Sequence, residues 1–200
     1  MLVLGITGGV GAGKSTVLDH MKDVWGASIL QADLVAHQLQ KKGERCHREI
    51  VAAFGEDVLA ADGEIDRVKL GAIVFADKAR LEELNDIVHP AVKDYIREQI
   101  ESETAKGERK LMAIEAALLI EGGYEKICDE LWYIYASEEI RRDRLKKTRG
   151  YSDERVDGIF KSQNSEEVFR AHCAVTIDTG ISLECTKEQV DKALRERIMK

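Results

Sequence analysis

Residues 5–16 of the chain read GITGGVGAGKST, and this stretch decides the fold. Positions 8–15 follow the pattern G-x-x-x-x-G-K-S, in which a glycine-rich loop points backbone N–H groups at a phosphate chain. An apolar strand pattern precedes the loop and an amphipathic helical pattern follows it, as a phosphate loop requires. The sequence therefore predicts a nucleotide site made of Gly9, Val10, Gly11, Ala12, Gly13, Lys14, Ser15 and Thr16.

Two side chains of this loop are predicted to carry chemistry. Lys14 is expected to reach the β- and γ-phosphates as a mobile positive charge, and the Ser15 hydroxyl is expected to ligate Mg²⁺. The helix that follows adds the positive end of its dipole to the phosphate site. ATP and Mg²⁺ are thus the expected cofactors.

Outside the loop, short strands apolar on both faces alternate with amphipathic helices, the pattern of a parallel sheet covered by helices. We predict an α/β fold with a P-loop kinase-type parallel five-stranded sheet flanked by helices, in one kinase domain over residues 1–200. Its core strands are predicted near residues 2–7, 27–31, 110–116, 131–136 and 174–178.

One interval lacks convincing strands, and we predict a helical substrate-binding insertion at about 34–109. Its heptad-like apolar stripes stop and restart around Pro90, the only proline of the chain. Because proline suits a first helical turn and disfavours helical geometry in the preceding residue, the sequence predicts that Pro90 separates two helices and that His89 is non-helical.

Composition excludes several classes of protein. A net charge of −7 argues against a dedicated nucleic-acid binder, and no apolar run approaches the ~20 residues that span a bilayer. The four cysteines are scattered without metal-ligand spacing, which favours reduced, packing thiols. No signal peptide is indicated. We expect a cytoplasmic protein, a monomer or weak homo-oligomer, without nucleic-acid or membrane partners.

The remaining motifs bear on what the nucleotide is used for. A GTPase would need an N-K-x-D element, which the chain lacks, and a motor would usually end an apolar strand in an acidic pair. Glu115 ends the third strand alone, and it is either an outer-shell metal residue or a capping or solvated carboxylate. These absences favour a kinase.

A basic segment at residues 140–150, IRRDRLKKTRG, has six basic residues against one acid and ends at Gly150, a plausible hinge. A kinase surrounds the transferring group with positive charge and excludes water, so we predict a lid at about 138–163. The alternatives are a solvated helix face, which must hold for about half of these side chains, and a nucleic-acid patch, which the acidic chain disfavours.

Asp33 follows the second strand, at the sheet edge where such folds bind ligands. It would lie beside the phosphate loop if strand two is near strand one. A carboxylate there can orient an acceptor hydroxyl and take its proton. The alternative is that Asp33 caps a helix beginning at Leu34.

The chain resembles the dephospho-coenzyme A kinase family over almost its whole length. The resemblance rests on GITGGVGAGKST, ADLVAHQL, GEIDRVKLGAIVFADKARLEELNDIVHPAV, ALLIE, the basic segment and SDERVDGIFKSQ, of which the long helical stretch ending in His-Pro is the most discriminating. It implies that ATP and dephospho-coenzyme A, the small-molecule substrate, react to give ADP and coenzyme A.

The resemblance also implies roles for single residues. Asp33 matches the catalytic base, while Arg67 and His89 fall at motif positions of the subdomain that holds the coenzyme A moiety. The residues that match the lid and the segment after it are Arg144, Arg149, less closely Arg142, and Gln163.

Three positions depart from the family pattern. Gln31 stands where an aspartate is usual, Ala117 where a proline is usual, and Thr179 where an asparagine is common near the nucleotide base. They keep two alternatives open: a P-loop kinase for another small acceptor such as a nucleotide or sugar, and a nucleotide-binding regulatory protein that has lost catalysis.

Overall fold

The computed structural model of the protein describes residues 1–116 and 118–199. Its strands are β1 (Leu2–Thr7), β2 (Ser28–Gln31), β3 (Leu111–Glu115), β4 (Glu130–Tyr135) and β5 (Val175–Asp178). They form one sheet in the order β2–β3–β1–β4–β5, and the pairs β1–β3, β1–β4 and β4–β5 are parallel. The predicted α/β class with a five-stranded parallel sheet is confirmed. Strand β2 does not neighbour β1, because β3 lies between them.

Helices connect the strands. The described residues form α1 (Lys14–Trp25), α2 (Ala32–Leu39), α3 (Arg45–Phe54), α4 (Arg67–Ala76), α5 (Lys78–Lys106), α6 (Glu138–Arg149), α7 (Asp153–Lys161), α8 (Glu166–His172) and α9 (Leu183–Ile198). Short 3₁₀ turns lie at Glu56–Val58 and Tyr124–Lys126. Parallel strands need such crossovers, since a tight hairpin cannot join them.

The chain divides into two compact units, of which the first comprises Met1–Leu30 and Glu103–Lys200. This unit contains the sheet. Its core is formed by strand side chains packed against α1 and α9, and it includes Leu4, Ile6, Val17, Met21, Leu111, Trp132, Ile134, Val190 and Leu194, all buried. Burial of this apolar surface fixes β1, and therefore the start of the phosphate loop.

The second unit, Gln31–Ser102, is mainly helical. It contains α2, α3, α4 and most of α5, and its buried side chains include Val35, Cys46, Ile50, Leu70, Val74, Val92 and Ile96. Asp66 begins α4 by accepting hydrogen bonds from the backbone N–H groups of Val68 and Lys69. The predicted role of the insertion at 34–109 in substrate binding stays a prediction.

The predicted helix break at Pro90 is wrong. Helix α5 runs without interruption from Lys78 to Lys106, with Pro90 inside it and His89 in helical geometry. Proline removes one intrahelical hydrogen bond and disfavours this geometry. Burial of Val88, Ala91 and Val92 on either side of the proline offsets that cost, because one continuous helix keeps all three in the core.

All four cysteines are free: Cys46, Cys128, Cys173 and Cys185. Burial raises the pKa of the Cys128 thiol to about 12 and that of Cys173 to about 11. These thiols therefore stay protonated and unreactive at neutral pH, as packing residues do. Within the described part of the chain, no helix is both long and apolar enough to cross a membrane.

Candidate active site

The phosphate loop joins the end of β1 to the start of α1. Gly13 occupies the N-cap position of α1 with φ of 88°, a left-handed conformation that favours glycine. At Gly8 an added Cβ would lie 2.3 Å from the carbonyl oxygen of Ile134 in β4, so no side chain fits there. The loop thus needs these glycines for both its turn and its close approach to the neighbouring strand.

Lys14 is held over the loop by protein contacts. Its Nζ donates a hydrogen bond to the Gly8 carbonyl oxygen at 2.9 Å and lies 3.7 Å from Glu115 Oε1. Burial lowers the pKa of Lys14, the positive charges of Arg141 and Arg149 lower it further, and Glu115 opposes both effects. The lowered pKa of this lysine thus comes mainly from its burial, and a polyphosphate bound beside it would favour the charged ammonium.

Glu115 ends β3, and its Oε1 forms an ion pair with the loop lysine. Ser15 lies exposed in the first turn of α1. Among the described residues no group of three or more His, Cys, Asp or Glu could hold a metal ion. Mg²⁺ in nucleotide sites is bound through one or two protein oxygens together with substrate phosphates. Ser15 and Glu115 are the oxygen donors that fit it, and the metal itself stays a prediction.

Helix α6 aims only some of its basic side chains at the loop. Arg141 Nε donates to the Val10 carbonyl oxygen at 3.0 Å, and Arg144 Nη1 donates to the Gly11 carbonyl oxygen at 3.2 Å. Burial lowers the pKa of the Arg141 guanidinium. Two cations are thereby fixed on consecutive residues of the phosphate loop.

The other basic residues of α6 face elsewhere. Arg142 pairs with Asp153 and Asp157 of α7, while Lys146 also pairs with Asp153. The remaining two are Lys147, paired with Asp143 on its own helix, and Arg149, exposed 6.0 Å from the Tyr151 ring. Arg142, Lys146 and Lys147 thus form a solvated, ion-paired helix face. This agrees with the expectation that about half of the six basic side chains point to solvent.

Arg141 was not singled out from the sequence, and neither was its partnership with Gln163. Its Nη2 donates to Gln163 Oε1, and its guanidinium stacks 4.3 Å from the centre of the Phe160 ring. Helical spacing could have found it, because Leu145 is the buried apolar residue of α6, and Arg141 and Arg144 precede it by four and one positions. Both arginines therefore share the inward edge of the helix.

Thr179 connects this arginine pair to the loop. Its buried Oγ1 lies 2.6 Å from the Ala12 carbonyl oxygen and accepts from Arg144 Nη1 at 3.0 Å, while Arg144 Nη2 donates to the Thr179 carbonyl oxygen at 2.7 Å. A departure from the family pattern thus contributes to the support of the phosphate loop. The departure at Ala117 lies outside the described residues, and Gln31 takes the N-cap position of α2 without a side-chain capping bond.

Asp33 is not a helix cap. Helix α2 begins at Ala32, before the predicted Leu34, so Asp33 lies inside the first turn, where a negative charge is favoured by the helix dipole. Its side chain is exposed, and in the described part of the chain it forms no hydrogen bond or ion pair. The carboxylate is therefore available to a ligand.

The two other predicted substrate residues belong to the same helical unit as Asp33. Arg67 is exposed in the first turn of α4 and lines a cavity of about 300 Å³, and His89 is exposed on α5. His89 is not part of the cavity lining. The structure thus gives Arg67 a defined setting and leaves His89 on an open helix surface.

Comparison with known proteins gives a consistent family. A sequence model described as Dephospho-CoA kinase matches residues 2–184. A dephospho-CoA kinase of Dehalococcoides mccartyi is 38% identical over 199 residues, covering 99% of this chain and 98% of the relative. One of Moorella thermoacetica is 36% identical over 196 residues, covering 98% and 92%. A Thermus thermophilus crystal structure is similar at a TM-score of 0.79 and 31% identity, covering 98% and 97%.

Proposed function

The chain belongs to the dephospho-CoA kinase family, and on that premise we propose that it transfers the γ-phosphoryl group of ATP to the 3′-hydroxyl of dephospho-coenzyme A. This reaction gives ADP and coenzyme A and is the last step of coenzyme A biosynthesis. The observation that carries the proposal is the clustering of Lys14, Arg141 and Arg144 on the phosphate loop. Phosphoryl transfer needs such fixed positive charge around the migrating group.

The donor side of the proposed mechanism uses the phosphate loop. Backbone N–H groups of the loop and Lys14 would hold the β- and γ-phosphates, while Arg144 and Thr179 keep the loop in place. Arg149, at the end of α6, is proposed to approach the phosphates when the lid segment moves. Mg²⁺, bound by Ser15 with Glu115 as an outer-shell carboxylate, would neutralise charge on the phosphate oxygens.

Asp33 is the proposed base on the acceptor side. As the 3′-oxygen forms its bond to the γ-phosphorus, the bond between that phosphorus and the β,γ-bridging oxygen breaks, and ADP leaves with the electron pair. The hydroxyl proton passes to the Asp33 carboxylate. The exposure of that carboxylate supports this role, since no cation among residues 1–116 and 118–199 pairs with it.

A direct assay tests the proposed reaction. Purified protein with ATP, Mg²⁺ and dephospho-coenzyme A should release ADP in step with the formation of coenzyme A, and AMP, a simple sugar or shikimate should replace dephospho-coenzyme A poorly. Turnover of one of these acceptors but not of dephospho-coenzyme A would contradict the proposal in favour of another small-acceptor kinase. ATP binding without acceptor-dependent ADP release across the panel would indicate a regulatory protein.

The setting of the enzyme is also part of the proposal. We expect cytoplasmic action, which the four free cysteines support because a reducing compartment keeps thiols unpaired. A monomeric or weakly associating state is likewise expected, and size-exclusion chromatography with light scattering would measure it.

A further inference from the structure

The basic side chains of α6 are held by two kinds of partner. The outward ones pair with carboxylates, and they are Arg142, Lys146 and Lys147. In the described part of the chain, the inward Arg141 and Arg144 are hydrogen-bonded only by neutral oxygen atoms. These are the carbonyl oxygens of Val10, Gly11 and Thr179, the Thr179 hydroxyl and the Gln163 side-chain amide. No directly paired carboxylate therefore cancels the charge of the inward arginines among these residues.

The guanidinium of Arg141 lies between the phosphate loop and α7. A Cβ added at Gly9 would overlap its Nη2 and Cζ atoms, so the guanidinium is in close contact with the loop backbone. On the side of α7, the centre of the Phe160 ring is 4.3 Å from Cζ. A half-buried cation without a paired carboxylate loses hydration, and a bound anion offsets that loss.

Gln163 is itself held in place from two directions. Its backbone N–H donates to the Phe160 carbonyl oxygen at 3.3 Å, and the next residue, Asn164, donates through Nδ2 to Glu121 Oε1 at 2.7 Å. An arginine side chain has only donors, so Gln163 must present its amide oxygen to Arg141 Nη2. The turn after α7 thus directs one neutral acceptor at the guanidinium.

The side chain at position 163 decides how much charge Arg141 keeps. A glutamate of the same length could accept the same hydrogen bond, but it would form a charge-assisted ion pair with the guanidinium. That pair would neutralise a cation placed on the phosphate loop. The amide orients the guanidinium and leaves its charge for a ligand, as preorganised stabilisation of a phosphoryl group requires.

We propose that Gln163 is a positioning residue, which holds Arg141 over Gly9 and Val10 while leaving its charge uncompensated for the phosphate chain of the donor. Gln163 acts through Arg141 and does not itself contact the reacting atoms. The inference rests on the proposed function in that it takes ATP as the donor. It is independent of which acceptor receives the phosphoryl group.

Two substitutions of similar size separate orientation from charge. Gln163→Met removes the acceptor, whereas Gln163→Glu keeps it and adds a negative charge. In calorimetric titrations with ATP and Mg²⁺, the dissociation constant should rise about threefold in Gln163→Met and about tenfold or more in Gln163→Glu. A merely structural contact between α6 and α7 predicts the opposite order, because glutamate would hold Arg141 at least as firmly as glutamine does.

A neighbouring residue provides the matched control for added charge. Ser162 is exposed, and its hydroxyl donates to the Ile159 carbonyl oxygen. Ser162→Glu adds the same negative charge one position away without a direct pair with Arg141, so its dissociation constant for ATP should stay within about twofold of wild type. Melting temperatures of all variants establish that each is folded.

An Arg141→Met background shows whether Gln163 acts through Arg141. Adding Gln163→Glu to it should change the dissociation constant for ATP by less than about twofold, because no guanidinium remains to be neutralised. Three results would each overturn the inference: ATP affinity in Gln163→Glu equal to or higher than in Gln163→Met, an equal loss in Ser162→Glu, or an undiminished loss in the Arg141→Met background.

ATP binding and coenzyme A formation, measured on the same preparations, distinguish failure of this inference from failure of the proposed function. If wild type binds ATP but forms no coenzyme A from dephospho-coenzyme A, the proposed reaction is contradicted, and the order of the dissociation constants still decides the role of Gln163. Formation of coenzyme A by wild type, with equal ATP affinity in both Gln163 variants, contradicts the inference alone. Absence of ATP binding in wild type contradicts both.

Discussion

The phosphate loop and the helical unit differ in how far their functional side chains are already engaged. In the loop, Lys14, Arg141 and Arg144 all donate hydrogen bonds to loop carbonyl oxygens. In the helical unit, by contrast, Asp33 and Arg67 are exposed, and in the described residues neither forms a hydrogen bond or ion pair.

This difference indicates two ways of building a substrate site. Charges that the protein holds in place need no reorganisation when phosphates bind, so the donor site is organised before the nucleotide arrives. Side chains without protein partners keep their hydration and their rotamer freedom until a ligand replaces both. We therefore expect substitutions in the loop to change donor binding, and substitutions in the helical unit to change acceptor binding or proton transfer.

The largest effect is expected on the acceptor side, at Asp33. Asp33→Asn should lower kcat on the order of 10²–10⁴-fold, since an amide cannot accept the proton of the 3′-hydroxyl. Steady-state formation of coenzyme A measures it, with Asp57→Asn, another exposed aspartate of the same unit, as the control that should keep wild-type turnover. Full activity of Asp33→Asn would remove the residue from the mechanism.

A somewhat smaller effect distinguishes neighbouring arginines on α6. Arg141→Met should raise the KM for ATP by about tenfold or more, because it removes a charged hydrogen bond to the Val10 carbonyl oxygen and a cation beside Lys14. Arg142→Met removes only exposed ion pairs with α7, which contribute little. Equal KM values in the two variants would show that the orientation of α6 is not what supports the loop.

The sequence alone predicts the strand, loop and sheet of the donor region, but it does not predict how the surrounding helices are oriented. The glycine-lysine pattern and the apolar strands are local signals, and they predicted β1, the loop and the sheet. The orientation of α6 and the continuity of α5 through Pro90 depend on packing between distant residues. The six basic residues of α6 are alike in charge, and their helical spacing from the buried Leu145 is the signal that separates Arg141 and Arg144 from the rest.

Asp33 shows the same limit on the acceptor side. Its helix begins two residues earlier than predicted, and this shift is what removes the capping interpretation. The cavity at Arg67 combines the end of α2, a turn and the start of α4, which are far apart in sequence. No local motif predicts such a combination, although the resemblance to the family had indicated Arg67.

Thr179 offers a further test of how strongly the loop is supported. Thr179→Val should lower the free energy of unfolding by about 1–3 kcal/mol, because the Ala12 carbonyl oxygen and Arg144 lose a buried partner. It should also raise the KM for ATP. Thr186, a second buried threonine, has its Oγ1 2.8 Å from the Ser182 carbonyl oxygen and 3.4 Å from the Asp178 carbonyl oxygen. Neither partner belongs to the phosphate loop, so Thr186→Val should leave the KM for ATP unchanged. An unchanged KM in Thr179→Val would mean that the loop holds its shape without it.

The smallest effect concerns stability away from both sites. Desolvation acts to raise the pKa of Asp191, but hydrogen bonds from Trp25 and His20 outweigh it and the pKa is lowered. The carboxylate therefore stabilises the fold above its unfolded pKa of about 3.9, and this contribution is lost as pH falls through the lower folded value.

Asp191→Asn should cost about 1 kcal/mol of unfolding free energy at neutral pH, measured by urea denaturation, with ATP affinity unchanged. The difference from wild type should shrink when the titration is repeated at acidic pH. A difference independent of pH would instead assign the effect to packing. A changed ATP affinity would show that Asp191, on α9, also stabilises the phosphate loop.

The division between donor and acceptor regions is tested most directly by calorimetric titration of Asp33→Asn with ATP and Mg²⁺. The dissociation constant should equal that of wild type within about twofold, whereas Lys14→Met in the same experiment should bind at least about tenfold more weakly, having lost the charged contact to the phosphates. If Asp33→Asn weakens ATP binding as much as Lys14→Met does, Asp33 belongs to the donor site and the account is contradicted.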